Sequence, residues 1–268
     1  DGSSTATENV TIVITGTNDG PQVTAATDVS EIIAETNDGL ATAGSFEILD
    51  VDTTDVVSVT GVTVVASGLG ATDDQGAVPD NAALDAMFSV SADATPQSEI
   101  EIDGSSNTGT VNWSFDSGEE AFDYLAVDES LILTYTVTVS DDNGATVEQD
   151  VVIEITGTND VPIVTEEVVV VETLPETDEG LSVTGSFNLA NVLDADTTDF
   201  VSVTNIDVAT SGQDVDAQGA VPSLEDLDLM FTIVETGEQV SEEIDNTENL
   251  GQVNWQFDSG EEAFDYLA

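Results

Sequence analysis

The sequence predicts an all-β protein built of tandem β-sandwich domains joined by short linkers. Three observations predict it. Runs such as "LILTYTVTVS" (131–140) and "DVVIEIT" (150–156) alternate apolar and polar residues with period two, as half-buried strands do. Turn clusters rich in Gly, Asn and Asp separate these runs. The whole pattern also returns about 142 residues later, which marks a tandem repeat.

The duplication is close. "NWSFDSGEEAFDYLA" (112–126) returns as "NWQFDSGEEAFDYLA" (254–268), and "DVDTTDVVSVT" (50–60) as "DADTTDFVSVT" (194–204). "QGAVP" at 75–79 returns at 218–222, and "ITGTND" stands at both 14–19 and 155–160, each time running into a proline. Offsets of 141 to 144 imply small insertions and deletions in loops. This phasing makes 1–18 the C-terminal strand of an upstream repeat, 19–160 a complete β-sandwich repeat, and 161–268 a second repeat lacking its last two strands. The chain is expected to be a window cut from a longer array. Strand donation between chains fits less well, because the tail supplies one strand where the last repeat lacks two.

Within the complete repeat about seven to nine strands are expected, with candidates at 22–25, 29–34, 43–49, 56–66, 87–91, 98–102, 109–115, 131–140 and 146–156. Many short strands in about 140 residues make a sandwich. One segment, "DSGEEAFDYLA" (116–126), reads as helical. Asp116 or Ser117 would cap it, Glu119 and Glu120 would sit at its positive end, and Phe122 with Leu125 or Ala126 would face the core. Trp113 and Trp255 are expected as core anchors, and the Tyr135 hydroxyl as bonded back to a turn.

Composition then narrows the chemistry. The chain has 56 Asp and Glu, no Lys, Arg or His, and no Cys, for a formal charge of −56. Acidity of this order accompanies disorder in chains that lack apolar runs, but here 40% of residues are hydrophobic and patterned. Absent His, Cys and Lys, there is no Ser-His-Asp triad, thiol nucleophile, Schiff base, P-loop or N/S zinc site. Nucleic-acid phosphates and anionic membranes would be repelled. No apolar stretch is long enough to span a bilayer. Two carboxylates about 6 Å apart in water repel by roughly 0.7 kcal/mol, and salt screens this. Only solvent or bound cations can serve as counter-ions. A salty, cation-rich, extracellular medium is therefore expected.

The acids recur in register. Calcium takes six to eight oxygens, mostly carboxylate and carbonyl, and Asp-x-Asp in a turn lets two carboxylates converge on one ion. One calcium cluster is expected around Asn159 and Asp160, with Asp141, Asp142, Glu172 or Glu176, Asp194 and Asp196. Its counterpart around Asn18 and Asp19 would draw on Glu31 or Glu35, Asp50, Asp52 and Asp1. The competing reading is that these residues merely form turns. No group matches the EF-hand spacing. Glu119, Glu120 and Asp123 could be imagined as a glycosidase carboxylate pair. Glu119 and Glu120 are neighbours that point apart, however, and a solvated face explains them better, so no enzyme is expected.

Taken in order, "GSFEILDVDTTD", "NWSFDSGEEAFDYLAVDESLILTYTVTVSDDNG" and "VVIEITGTND" followed by a proline resemble the VCBS repeat, a cadherin-like, immunoglobulin-like module of giant bacterial surface proteins. The resemblance covers nearly the whole chain. It implies Ig-like/cadherin-like sandwiches with calcium-binding linkers, acting as extenders of secreted adhesins of the RTX and biofilm kind. Such proteins leave by type I secretion and stand at the bacterial cell surface. The complete absence of basic residues goes beyond what the resemblance implies. The partners expected are neighbouring repeats and like chains in a fibre or matrix. The alternative function is a glycan- or protein-binding module, which an exposed Trp113 would favour.

Overall fold

The computed structural model describes all residues except 1, 3–6, 73–77, 93–99, 121, 165–168, 189–191, 200, 212–221, 235–251, 262–263 and 265–268. Among the described residues of the first repeat nine strands run in chain order: β1 (Gln22–Ala25), β2 (Ser30–Ala34), β3 (Ala41–Leu49), β4 (Val56–Ser67), β5 (Phe88–Ala92), β6 (Ile100–Asp103), β7 (Thr108–Asp116), β8 (Ser130–Asp141) and β9 (Thr146–Thr156). Each falls on an alternating run, within two residues of expectation. A short helix, α1 (Asn81–Ala86), precedes β5 and is capped by the Asp80 carboxylate, which accepts the Ala83 N–H at 2.8 Å.

Two sheets form. One has the order β1-β3-β7-β5, and the other β2-β9-β8-β4-β6. All pairings are antiparallel save one: β2 lies parallel to β9, with Ser30 opposite Val152 and Ala34 opposite Thr156. The first extended segment thus changes sheets between β1 and β2. It clips both layers of an all-β sandwich.

The inward residues of the two sheets make a single core. Phe46, Ile48, Val111, Trp113 and Phe115 from one sheet meet Leu131, Leu133, Tyr135, Val137, Val151, Ile153 and Ile155 from the other. Phe88 stacks on Tyr135 at 4.2 Å and on Trp113 at 5.8 Å between ring centroids. Trp113 is only 2% exposed, and its indole N–H donates to the Asp28 carbonyl at 2.8 Å. Tyr135 is fully buried, and its hydroxyl reaches the Leu84 carbonyl of α1 at 2.8 Å, so it anchors a helix rather than a turn.

Gly44 on β3 lies opposite Trp113 on β7. A Cβ there would meet the Trp113 ring at 2.6 Å and the Asp28 carbonyl at 2.5 Å. Gly185 stands in the same relation to Trp255, at 2.3 Å. Replacing Gly44 with Ala should therefore overpack the core and cost about 1–3 kcal/mol. Urea unfolding of the variant checks this, and an unchanged midpoint would count against the packing described.

In the second repeat, β10 (Ile163–Val164) pairs with β12 (Val192–Leu193), and β11 (Ser182–Asn188) and β13 (Phe231–Ile233) flank β14 (Gln252–Asp258). Helix α2 (Leu224–Met230) precedes β13 and carries a capping box between Ser223 and Asp226. The register copies the first repeat: Gly185 faces Trp255 as Gly44 faces Trp113, and Phe231 faces Phe257 as Phe88 faces Phe115. The counterpart of β4, residues 202–211, carries no strand among the described residues. In the first repeat that segment is held along its length by β8. Residues 7–16 likewise carry no strand among the described residues. Val10, Ile12 and Ile14 are 80–90% exposed, while their counterparts Val151, Ile153 and Ile155 are fully buried.

The described residues of 116–126 form no helix. They make two tight turns, at Gly118–Glu119 and Asp123–Tyr124. Gly118 and Phe122 have φ of +66° and +62°, left-handed values that no right-handed helix contains. The Ser117 hydroxyl accepts the Leu40 N–H at 2.7 Å and donates to the Glu120 carbonyl at 2.5 Å, so the would-be cap is spent on a loop. Phe122, Leu125 and Ala126 do reach the core.

Candidate metal centre

The loops of the first repeat gather at two poles. At the N-terminal pole the turn between β3 and β4 carries Asp50, Asp52 and Asp55, and the turn between β8 and β9 carries Asp141 and Asp142. Asp50, Asp55 and Asp141 are each buried, and a carboxylate oxygen from each lies within 4.8 Å of the others. The turn is built by its own acids: Asp50 accepts the Asp52 N–H at 2.9 Å, and the Asp55 N–H closes on the Asp52 carbonyl at 3.0 Å. The incoming linker is tied to the same place. The Asp19 N–H donates to Asp52 at 2.7 Å, and the Asn18 side-chain amide to Asp141 at 2.9 Å.

At the C-terminal pole Glu35, Asp123 and Asp160 form a second group, again within 4.8 Å. Glu35 follows β2 and accepts both the N–H (2.9 Å) and the hydroxyl of Thr158. Asp123 comes from the turn after Phe122. Asp160 leads into the second repeat, where its N–H donates to Asp196 at 2.7 Å. Within that repeat the Asp196 N–H donates to Asp194 at 3.2 Å. Asp19 on Asp52 and Asp160 on Asp196 are thus the same contact at successive junctions.

Among the described residues, four carboxylate oxygens at these poles are buried without a hydrogen-bond partner: one each on Asp50, Asp123, Asp160 and Asp196. Buried polar atoms are nearly always paired. Carboxylate pairs this close repel by roughly 3–4 kcal/mol at an effective dielectric near 20. No side-chain cation exists anywhere in the sequence to compensate. The donor set is all carboxylate oxygen, which suits a hard divalent cation, and calcium above all.

The sequence-derived candidates distribute as follows. Asn18, Asp19, Asp50, Asp52 and Asp141 meet at the first junction. Asn159, Asp160, Asp194 and Asp196 meet at the second. Three candidates sit at the opposite pole from the one expected: Glu35 lies at the second junction, and Asp141 and Asp142 at the first. Glu31 is half-buried on β2, opposite Ile153. Asp142 accepts the Val56 N–H at 3.4 Å, outside the buried group. Glu172 and Glu176 are exposed and join neither group. Asp1 lies outside the described residues. Asp55 and Asp123 are members that the sequence reading did not include. Asp55 was visible as the last acid of "DVDTTD", and Asp123 was hidden by the helical reading of its segment.

Burial, and then the neighbouring Asp199, Asp160 and Asp194 carboxylates, push Asp196 from 3.8 up to about 6. Burial first, then neighbouring acids, likewise raises Asp50 and Asp123. Burial also raises Asp194, with Asp199 and Asp160 adding to it. Asp141 goes the other way: burial pushes it up, but bonds from Asn18, Ala145, Asn143 and Gly144 outweigh that. An acid raised in the folded state binds protons more readily there, so its share of stability falls as pH climbs between 3.8 and about 6. Asp141 acts below that window. With chelator, the protein should melt higher at pH 5 than at pH 7. Calorimetry at both pH values reads this, and a higher melting point at pH 7 would contradict it.

No family model matches the chain, and neither does any curated protein. Among solved structures, a titin immunoglobulin tandem is similar over 94% of this chain and 87% of its own, at 8% identity and a TM-score of 0.27. The zebrafish RET cadherin-like domains 1 to 4 are similar over 90% of this chain and 43% of their own, at 12% identity and a TM-score of 0.24. AggA, the major subunit of aggregative adherence fimbriae from Escherichia coli, is similar over 53% of this chain and 98% of its own, at 16% identity and a TM-score of 0.26.

Proposed function

We propose that this chain is a run of extender repeats in a large secreted bacterial surface adhesin or extracellular fibre, stiffened by calcium where one repeat meets the next. The observation that carries the reading is the set of buried, unpartnered carboxylate oxygens on Asp50, Asp123, Asp160 and Asp196, in a chain with no cationic side chain. The acids of each group come from segments far apart in sequence. At the second junction they also come from both repeats: Glu35 and Asp123 precede the linker, and Asp194 and Asp196 follow it. A calcium ion would supply the positive charge that these groups lack. The residues themselves set its place: Glu35 holds the outgoing linker through Thr158, and Asp196 holds it through the Asp160 N–H.

The adhesin assignment rests on the resemblance of the "FDYLA", "LTYTVTVSDDNG" and "ITGTND" motifs. The glycan- or protein-binding alternative draws no support from the tryptophans, since Trp113 and Trp255 are both core residues. Small-angle scattering of the whole chain tests the stalk reading, in calcium and then in chelator at matched ionic strength. Calcium should convert a flexible particle into an extended rod. Identical scattering in both would leave the acids as solvated turns and sink the reading.

A further inference from the structure

The Thr-Thr step that follows each Asp-x-Asp pair is unexplained by ion binding. Its two threonines offer hydroxyls but no charge. In the second repeat both reach back across the junction. The Thr197 N–H and hydroxyl donate to the Tyr124 carbonyl at 3.4 and 3.3 Å. The Thr198 hydroxyl donates to the Glu129 carboxylate at 3.0 Å. Glu129 is fixed in turn by accepting the Ala126 N–H at 3.2 Å. Both receptor groups sit on one loop, residues 122–129, next to Asp123.

That loop is preformed. It is bracketed by Phe122 and Asp128, with φ of +62° and +67°, and non-glycine residues keep such values only where the surroundings enforce them. Phe264, the counterpart of Phe122, has φ of +56°, so the left-handed value at this position recurs in the second repeat. The donor turn is preformed as well. Thr53 and Thr54 occupy the same turn in the first repeat, closed by Asp55 N–H to Asp52 at 3.0 Å as Asp199 N–H closes on Asp196 at 3.2 Å. There the threonines are exposed, and no counterpart of Tyr124 or Glu129 precedes them in this chain.

We propose that the Thr-Thr step is a docking element: Thr197 and Thr198 seat on the Tyr124 carbonyl and the Glu129 carboxylate, and fix the orientation of one repeat on the last without an ion. Calcium then stiffens a geometry that the protein has already chosen. The inference deepens the stalk reading and rests on it for its purpose, but its contacts stand without any cation. Thr53 and Thr54 are the same element presented to a preceding repeat of this kind.

The chain has no cysteine, so spin labels at the exposed Thr63→Cys and Thr184→Cys report the distance between repeats cleanly. With chelator, T197V/T198V should broaden the distance distribution relative to the parent. T53V/T54V, in the same turn but with nothing to dock on, should leave it unchanged. E129A should broaden it, and E129Q, which keeps an acceptor for Thr198, should restore most of the width of the parent. Equal widths for T197V/T198V and the parent overturn the proposal. If chelator alone abolishes the β-sheet circular dichroism, the same comparison at saturating calcium decides by the same rule. A parent distribution indifferent to calcium would count against the stalk reading only, because the threonine comparison is made within one medium.

Discussion

Saturating calcium should raise the melting temperature of the chain by roughly 10–20 °C over chelator. A site held at 100 times its dissociation constant adds about 2.7 kcal/mol. Two groups of three carboxylates are present among the described residues, one at each pole of the first repeat: the first is buried throughout, and in the second Glu35 is buried while Asp123 and Asp160 are half-buried. Two such sites supply about 5 kcal/mol, and in a chain of this size each kcal/mol moves the melting point by roughly 2–4 °C. Screening alone acts on the same repulsion. The comparison therefore needs sodium chloride at equal ionic strength, and magnesium as a second control. Magnesium demands a small, near-octahedral shell and keeps its waters, so crowded carboxylates should favour calcium over it. Calorimetry reads all three. A calcium shift no larger than that of the matched sodium salt would mean that the acids repel and nothing more.

How far the sequence reached is clearest at Glu35 and Asp141. Period-two alternation located all nine strands of the first repeat, because each strand buries one face and the pattern is local. The choice of pole is not local. A strand rises about 3.3 Å per residue, so β9 carries the chain roughly 35 Å from one end of the sandwich to the other. Residues 31–35 look adjacent to the Asn18–Asp19 linker in sequence. Yet β2 runs parallel to β9 and delivers Glu35 beside Thr158, at the far end. Asp141 ends β8, which runs opposite to β9, so it stands beside Asn18 although only 18 residues separate it from Asn159. The Asp-x-Asp pairs escaped this error because their turn hydrogen bonds are made within the motif. The helical reading of 116–126 failed for a related reason. Its spacing of Phe122 and Leu125 does bring both to the core, but through a left-handed residue that side-chain periodicity cannot reveal.

Asp50→Asn should change sign with the medium. In chelator the wild-type Asp50 carboxylate is fully buried, has one unpartnered oxygen, and faces Asp55 and Asp141. Burial and those neighbours already disfavour its charge. An amide is nearly isosteric, removes the repulsion, and can donate to either neighbour, so the ion-free variant should gain on the order of 1 kcal/mol. In calcium the same change removes one anionic ligand from a group of three, and the variant should fall about 2 kcal/mol below wild type as the occupancy term is lost. Asp142→Asn, one residue from Asp141 but outside the buried group, should move stability by less than about 0.5 kcal/mol in either medium. Urea titrations of both variants, with and without calcium, give the four comparisons. Destabilisation by Asp50→Asn in both media would make Asp50 an ordinary turn carboxylate, valued for its bond to the Asp52 N–H. The sign reversal requires a cation, because only an added positive charge turns three mutually repelling carboxylates into a stabilising group.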